Sequence, residues 1–572
     1  MKTSINSKLF FVFVFFIAVA FRVYGINWDS GFHLHPDERA IIMAALTLHL
    51  PTSLGELLSP ASSLNPHFFA YGNFPLYLLA FFGWLGGIFN PFLGSYDGIL
   101  FIGRTLSVFF DLGTVCLLYL LGRRLRSPLI GLLAAFFYAV SLLPIQLSHF
   151  FAVDTPLTFF STLFLYLLIR YYEKPAIKKA VLLGITFGLS LTTKASAVVL
   201  AVPLGVTLLV DDTLLACRRV RHLPRLKPFL RHISPLLLSL LVTGVALGIT
   251  AFLTEPYGFI DRQEFLNQLG QQSAMTKDPF LFPYTLQYVG ITHYIYEIRN
   301  LVFFGQGILL SLLSYLGIFY TVWQIIVKKK DRKWAQELIL LVFAASYFGI
   351  VGNFAVGYMR YLLPLYPLLA IFAALLAEDI LRRLAYLSRF LAYFIPILFG
   401  ASLLLYPLTF LHIYAVPNTR VQATAWILQH IPAGSRLAVE HWDDALPLTG
   451  QGSYRIATLP LYDPDTAAKW QQINRTLEAT DYIIIASMRL AAPLQRLTNC
   501  RVLPPDRCYP ITAAYYKSLF SGSLGFTKVA DFTVYPTVPF LHIPIPDDSA
   551  DESFTVYDHP HVMLFKKIDR TK

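Results

Sequence analysis

Charge is what this sequence has least of. Asp, Glu, Lys and Arg make up 14% of its 572 residues, against 56% hydrophobic residues, and the mean hydropathy is +0.56. A soluble globular chain of this length rarely carries so much apolar sequence, which leaves a polytopic membrane protein. Cysteine is sparse as well, with four in all. Cys116 lies in an apolar run, Cys217 in a basic loop, and Cys500 and Cys508 close together in a polar region. They form no metal-ligand pattern. Cys500 and Cys508 are either free thiols or a disulfide, and an outside location favours the bond. The first apolar run, Leu9–Tyr24, lacks a small-residue cleavage site and is followed by an acidic stretch, so it reads as an uncleaved anchor. No internal repeat is present. The net charge of +12 resides in short loops between apolar runs, which is a topology signal rather than a nucleic-acid footprint.

Apolar length places about eleven spans, oriented by Lys and Arg. They are Leu9–Tyr24, Arg104–Leu121, Ile130–Pro144, Leu157–Leu168, Val181–Thr192, Ala195–Val210, Pro235–Leu253, Leu301–Val327, Leu338–Val351, Tyr361–Ala377 and Leu391–Ile413. The inside signals are Arg123, Arg124 and Arg126, the basic loop from Arg218 to Arg231, and Lys328–Lys330. The N-terminus is then cytoplasmic and the C-terminal region extracytoplasmic. Phe68–Phe89 is apolar enough to cross, but crossing would put Arg123 to Arg126 outside. It is expected as an embedded or interfacial helix, broken near Asn73-Phe74-Pro75.

Residues 1–414 therefore read as a membrane domain and 415–572 as an extracytoplasmic α/β domain, since no span-length apolar run follows Pro417. Within the latter, Thr419–His430 reads as a helix and Arg436–Glu440 and Tyr482–Ala486 as strands. Thr555–Tyr557 and Val562–Phe565 are expected to pair across Asp558-His559-Pro560-His561.

This topology collects ionisable residues at one membrane face. Asp29, His35, Asp37, Glu38 and Arg39 follow the first span; His149 and Asp154 precede the fourth; Lys194 sits at a hairpin tip. Glu255, Asp261, Arg262, Lys277, His293 and Arg299 occupy a long outer loop, and Arg360 and Tyr361 open a later span. Ionisable groups so close to lipid are costly and usually bind or transfer something. A transporter or lipid flippase, which more often places charge at the bilayer midplane within repeated halves, and a non-catalytic scaffold are the competing classes.

Four stretches carry a family resemblance: His35-Pro36-Asp37-Glu38; Asn73-Phe74-Pro75-Leu76-Tyr77 through Arg104-Thr105-Leu106-Ser107 to Tyr119–Leu125; Ala152–Leu157 with Gly184–Lys194; and Arg360-Tyr361-Leu362-Leu363-Pro364-Leu365-Tyr366-Pro367. In order and spacing the chain resembles membrane glycosyltransferases of family 39, the protein-mannosyltransferase-like branch of the GT-C fold. Phe74-Pro75-Leu76 stands where that family often has Pro-Pro-Leu, and no Lys precedes it. The resemblance implies transfer of a sugar from a polyprenyl-phosphate donor to an acceptor hydroxyl, the acceptor being a protein, lipid or glycan. It implies Asp37 as general base, with Glu38 orienting it or contacting the acceptor. Arg360, Lys194 and Arg262 are the expected donor-phosphate ligands. His35, His149, Asp154 and Tyr361 are expected to line the pocket. A divalent metal is an open expectation, with Asp37 and Asp154 as candidate ligands. Trp442, with Asp443 and Asp444, reads either as a sugar-stacking platform or as a structural turn.

Overall fold

A computed structural model describes residues 7–210, 226–327 and 333–568. Cys217, the arginines 218, 219, 221 and 225, and Lys328–Lys330 lie outside the described residues. The N-terminal part is helical: α1 (Ser7–Val23), α2 (Pro36–Leu46), α3 (Phe74–Phe89), α4 (Tyr96–Leu125), α5 (Pro128–Ala139), α6 (Leu142–Ser148), α7 (Asp154–Glu173) and α8 (Ile177–Leu191). These are followed by α9 (Ala201–Val210), α10 (Leu226–Thr254), α11 (Arg262–Met275), α12 (Ile308–Val327), α13 (Lys333–Val351), α14 (Tyr366–Leu387) and α15 (Arg389–Phe410).

Among the described residues six helices are long and apolar enough to cross a membrane, or seven if the bent pair α5 and α6 is one span. That is fewer than the eleven expected, and length explains much of the difference. Helix α1 has 17 residues and α8 has 15, both short of the roughly 20 that a perpendicular span requires. Asn73-Phe74-Pro75 does not break a helix; it begins one, with Pro75 in the first turn of α3.

Close packing is set by small residues. A Cβ on Gly184 would lie 2.3 Å from the Thr243 carbonyl oxygen, and one on Gly188 would lie 2.8 Å from Thr250 Cβ. These two glycines, one turn apart on α8, let its backbone press against α10, the small-residue contact that holds helices together in lipid.

The two ends of the bundle differ in chemistry. At the ends of α4 and α7, Arg124 pairs with Glu173, Arg126 with Glu337 at the start of α13, and Ser127 donates to Glu378. The opposite ends of the same helices hold Arg104, Asp154 and the residues around Asp37.

The C-terminal part is α/β, as expected. Helix α16 (Thr419–His430) precedes a five-stranded sheet of order β2-β1-β3-β7-β4. Its strands are β1 (Arg436–Glu440), β2 (Arg455–Leu459), β3 (Tyr482–Ile485), β4 (Phe526–Phe532) and β7 (Val562–Lys567), with β5 (Thr537–Val538) and β6 (Ile543–Pro544) forming a separate ribbon. β1 runs parallel to β2 and β3; β7 runs antiparallel to β3 and β4. The expected hairpin of Thr555–Tyr557 with Val562–Phe565 is not formed. Residues Glu552–Thr555 are a helical turn, and Val562–Lys567 lies between β3 and β4, with Val562 to Phe565 buried on both faces. Cys500 and Cys508 are joined as a disulfide. The two parts share one hydrophobic core, in which Phe554, Val556 and Tyr557 pack among the membrane helices.

Candidate active site

The site begins with how α2 starts. His35 caps the helix, its Nδ1 accepting the Glu38 N–H at 3.4 Å, and Pro36 fills the first turn. The His35 ring lies buried between Phe150 and Tyr557, and burial pushes its imidazole well below the usual value. Asp37 and Glu38 then point to different places. Glu38 is fully buried: both of its carboxylate oxygens receive the Arg104 guanidinium, at 3.1 and 2.8 Å, and Oε1 also accepts the Phe151 N–H at 2.8 Å. Arg104 is equally buried and grips Asp29 at 3.0 and 2.8 Å. Burial outweighs the Arg104 charge at Glu38 and pushes its carboxyl up. This triad fastens the first turn of α2 to α4, and it leaves Glu38 no room to touch a substrate.

Asp37 faces a cavity of about 470 Å³. There its carboxylate is paired with Arg360, whose guanidinium also lies 5.1 Å from the Tyr358 ring centre. The opposite wall comes from the C-terminal domain: Arg420, Trp442, Asp443, Asp444, Arg489 and Tyr557. Arg39 ties the two walls together through Asp444 at 3.0 Å. Arg420 pairs with Asp443 at 2.5 Å, and Arg489 is held by Glu552 at 2.7 Å. Asp443 and Asp444 are thus structural anchors. Between them and His441, Trp442 adopts a left-handed backbone (φ 70°) and leaves 46% of its surface open, a strained presentation of the kind that gathers at functional sites.

A second cavity, of about 460 Å³, adjoins the first and shares Ala70, Tyr71 and Gln272 with it. Its lining is mostly apolar, including Phe69, Leu191, Phe265, Leu269, Val351 and Phe354. Lys194 enters it, bonded to Asp154 at 2.8 Å and set 4.3 Å from the Tyr361 ring centre.

The expected site residues therefore fall into three groups. Asp37, Arg360, Lys194 and Tyr361 line the paired cavities, and Asp154 stands directly behind Lys194. Glu38, His35 and His149 are packing and capping residues; the His149 ring bonds the Ile145 and Tyr24 carbonyls and stacks on Tyr414. Arg262 is exposed at the start of α11 and lines neither cavity. As for a metal, Asp37 and Asp154 are each occupied by a cation of the protein. Among the described residues, one group could hold an ion: His67, Asp261 and Glu264, whose ligand atoms lie within 4.8 Å of one another. Sequence reasoning missed Arg104, Arg489 and Tyr557; Arg104 stood inside a quoted motif, but nothing local ties Arg489 or Tyr557 to a membrane cavity.

Residues 82–238 match the sequence profile of the dolichyl-phosphate-mannose-protein mannosyltransferase family. A comparison with curated proteins finds no match. Among solved structures, the archaeal oligosaccharyltransferase AglB from Archaeoglobus fulgidus, in complex with an inhibitory peptide and a dolichol-phosphate, is 12% identical with a TM-score of 0.50, over 98% of this chain and 88% of that one. The Archaeoglobus fulgidus oligosaccharyltransferase tethered with an acceptor peptide gives 14% and 0.50, over 99% and 89%. ArnT from Cupriavidus metallidurans bound to undecaprenyl phosphate is more distant, at 13% identity and a TM-score of 0.41, over 84% and 93%. A fold shared with AglB along almost the whole chain and a family match inside its membrane part agree: the chain has the fold of these membrane glycosyltransferases.

Proposed function

We propose that the protein transfers a sugar from a polyprenyl-phosphate donor to an acceptor hydroxyl at the extracytoplasmic face. One observation carries the reading: Asp37 faces Arg360 in a cavity lined by charged residues that adjoins an apolar one holding Lys194. A lipid-linked sugar needs that sequence of surroundings, with apolar walls for the prenyl chain, cations for the phosphate and a carboxylate for the hydroxyl that attacks C1. In this reading Asp37 takes the acceptor proton, and Arg360 and Lys194 stabilise the charge left on the departing phosphate. One displacement with no covalent intermediate inverts the anomeric centre, which NMR of the product tests.

The orientation that goes with this reading places the N-terminus in the cytoplasm and residues 415–572 outside. It is supported by the gathering of Arg124, Arg126 and Glu173 at the end of the bundle away from Asp37. For a divalent metal the natural seat is His67, Asp261 and Glu264. None of the three lines either cavity, although their neighbours Phe68, Phe69 and Phe265 do, and no step of the transfer is routed through it. The deciding experiment is transfer by the purified protein from a panel of radiolabelled polyprenyl-phosphate sugars, with Asp37→Asn beside the wild type. Transfer that collapses in the variant supports both class and base; equal transfer removes Asp37 from the chemistry; no transfer from any donor reopens the transporter class.

A further inference from the structure

The β5–β6 ribbon lines neither the cavity around Asp37 nor the one around Lys194. From Thr533 to Pro546 the chain carries no Asp, Glu, Lys or Arg, whereas Asp531, Asp547 and Asp548 stand at the base of the ribbon. Its tip holds large apolar side chains outward. Phe540 is 96% exposed and Leu541 67%, and Ile543 and Ile545 are exposed with them. A turn in water ordinarily uses Gly, Asn or Asp where the backbone is left-handed. Here Phe540 and His542 take that conformation, at φ 65° and 53°, a steric cost for residues of their size. Apolar groups held out together in this way mark an interaction surface.

The backbone suits apolar surroundings as well. Pro536, Pro539, Pro544 and Pro546 have no N–H to satisfy. The N–H groups of Leu541, His542 and Ile545 donate inside the ribbon, to the Pro539, Val538 and Pro536 carbonyls at 2.8, 3.0 and 2.7 Å. Internal pairing is what a segment needs when it leaves water for lipid. The ribbon also stands beside lipid-facing surface: β5 packs against α15, and Val534 packs against the core of the bundle. The span that begins at Arg389 is only 22% buried, and Leu405 and Leu408 are exposed near its last turn. At the base, the Tyr535 hydroxyl donates to Asp548 at 3.0 Å, an aromatic ring with a wet end of the kind found at headgroup level.

We propose that the β5–β6 ribbon is a membrane finger, with Phe540, Leu541 and Ile543 dipped into the leaflet that borders the C-terminal domain. Its partner is the lipid surface itself, because the ribbon continues the lipid-facing side of α15. Insertion is shallow, about 5–10 Å as for other interfacial segments. His542, with an apolar body and a polar edge, tolerates that depth. The finger bears on the Asp37 cavity through its root. Pro546 is followed by Asp547, which holds His559 at 2.9 Å. His559 in turn joins Asp558, the residue bonded by Tyr414 and Gln146 of the membrane part. Lipid contact at the tip thus steadies the domain that supplies the far wall of the cavity.

The test places a nitroxide at Phe540→Cys in the full-length protein, with Cys116 and Cys217 replaced by alanine and one copy per phosphatidylcholine nanodisc. Gln471→Cys, exposed on the helix Ala467–Ala479 of the same domain, is the comparison. At 540 collisions with oxygen, which concentrates in lipid, outweigh those with a water-soluble nickel chelate; at 471 the order is reversed. A label at 540 that meets the chelate as freely as the one at 471 makes the tip a wet loop and overturns the proposal. Shielding from both probes puts protein over the tip and overturns it too, as does a short spin–spin distance when two copies share a larger disc. The anchoring role is read separately at pH 7, with the exposed pair Leu541→Asp and Ile543→Asp. Proteolytic cleavage of residues 415–572 in nanodiscs is expected to speed up about tenfold, the low end for withdrawing one leucine from an apolar phase. Phe540→Trp, which keeps an interfacial ring, cleaves at the wild-type rate. Unchanged cleavage in the charged pair removes the anchor, whatever the depth of the tip.

Discussion

Arg360 and Asp37 lie 323 positions apart in the chain and pair side by side in one cavity. A carboxylate held by a guanidinium is a poor base, because the positive charge stabilises its ionised form. In the proposed reading, a donor phosphate arriving beside Arg360 competes with Asp37 for the same N–H groups and releases the carboxylate. Arg360→Ala is therefore expected to lower transfer by about 10² to 10³, the range for loss of a donor to a developing anion. Arg360→Lys, which keeps the charge without the fork, falls between the two. Initial rates at saturating and limiting donor separate the binding loss from the catalytic loss.

Glu38 stands next to Asp37 in sequence and behaves differently. Removing its charge leaves Arg104 and Asp29 buried around a hole, and breaking a buried pair costs about 3–5 kcal/mol. Glu38→Ala is expected to lower the unfolding midpoint in detergent by several degrees, with the fully active fraction shrinking in step. Asp37→Asn leaves the midpoint near that of wild type while transfer falls by about 10² to 10⁴. A Glu38 variant that is stable but inactive would return that residue to the chemistry.

The C-terminal domain is docked through a buried imidazole. His559 Nε2 meets Asp547 at 2.9 Å and Nδ1 meets Asp558 at 2.5 Å, and Asp558 in turn receives Tyr414 at 3.0 Å and Gln146 at 3.0 Å from the membrane part. Although burial opposes the charge, the two carboxylates push the imidazole up to about 10. A group whose pKa is raised on folding contributes stability that is complete below its unfolded value of about 6.5 and is lost as pH rises through the folded value. Resistance of residues 415–572 to limited proteolysis is thus expected to decline between pH 7 and pH 10. His559→Gln starts less resistant and shows a flatter profile; a slope as steep as wild type would show that another group is responsible.

Gly184 and Gly188 have no polar role, yet large side chains there should be damaging. Gly184→Leu drives a side chain into the α10 backbone and is expected to cost about 1–3 kcal/mol by overpacking, read as a lower midpoint, whereas the same change at Gly205, with open space around it, leaves the midpoint unmoved.

The residues that could be read in the sequence are those whose surroundings are local. Asp37 announced itself because charge beside an apolar run is costly, and Thr419–His430 and Arg436–Glu440 have the bounds their periodicity gave. The burial of Glu38 was not legible beside Asp37, because what buries and pairs it is Arg104, 66 positions from Glu38. Val562–Phe565 is expected against its nearest apolar neighbour, Thr555–Tyr557, but the sheet offers it two better partners in β3 and β4. His149 looked like a pocket residue by position; its ring bonds are to backbone carbonyls, which no side-chain pattern can signal. The C-terminal wall of the cavity was hidden for the same reason, since Arg489 and Trp442 acquire their meaning only when the domain docks.

That wall has a consequence for how the molecule is made. Asp37 emerges early in synthesis, whereas Glu552, which holds Arg489, and Tyr557, which packs on His35, are translated more than five hundred positions later. At ribosomal speed the interval is on the order of a minute. Throughout it the nascent membrane helices carry Asp37 but not the far wall of its cavity, so on the proposed reading the chamber can close only after Glu552 and Tyr557 have been made.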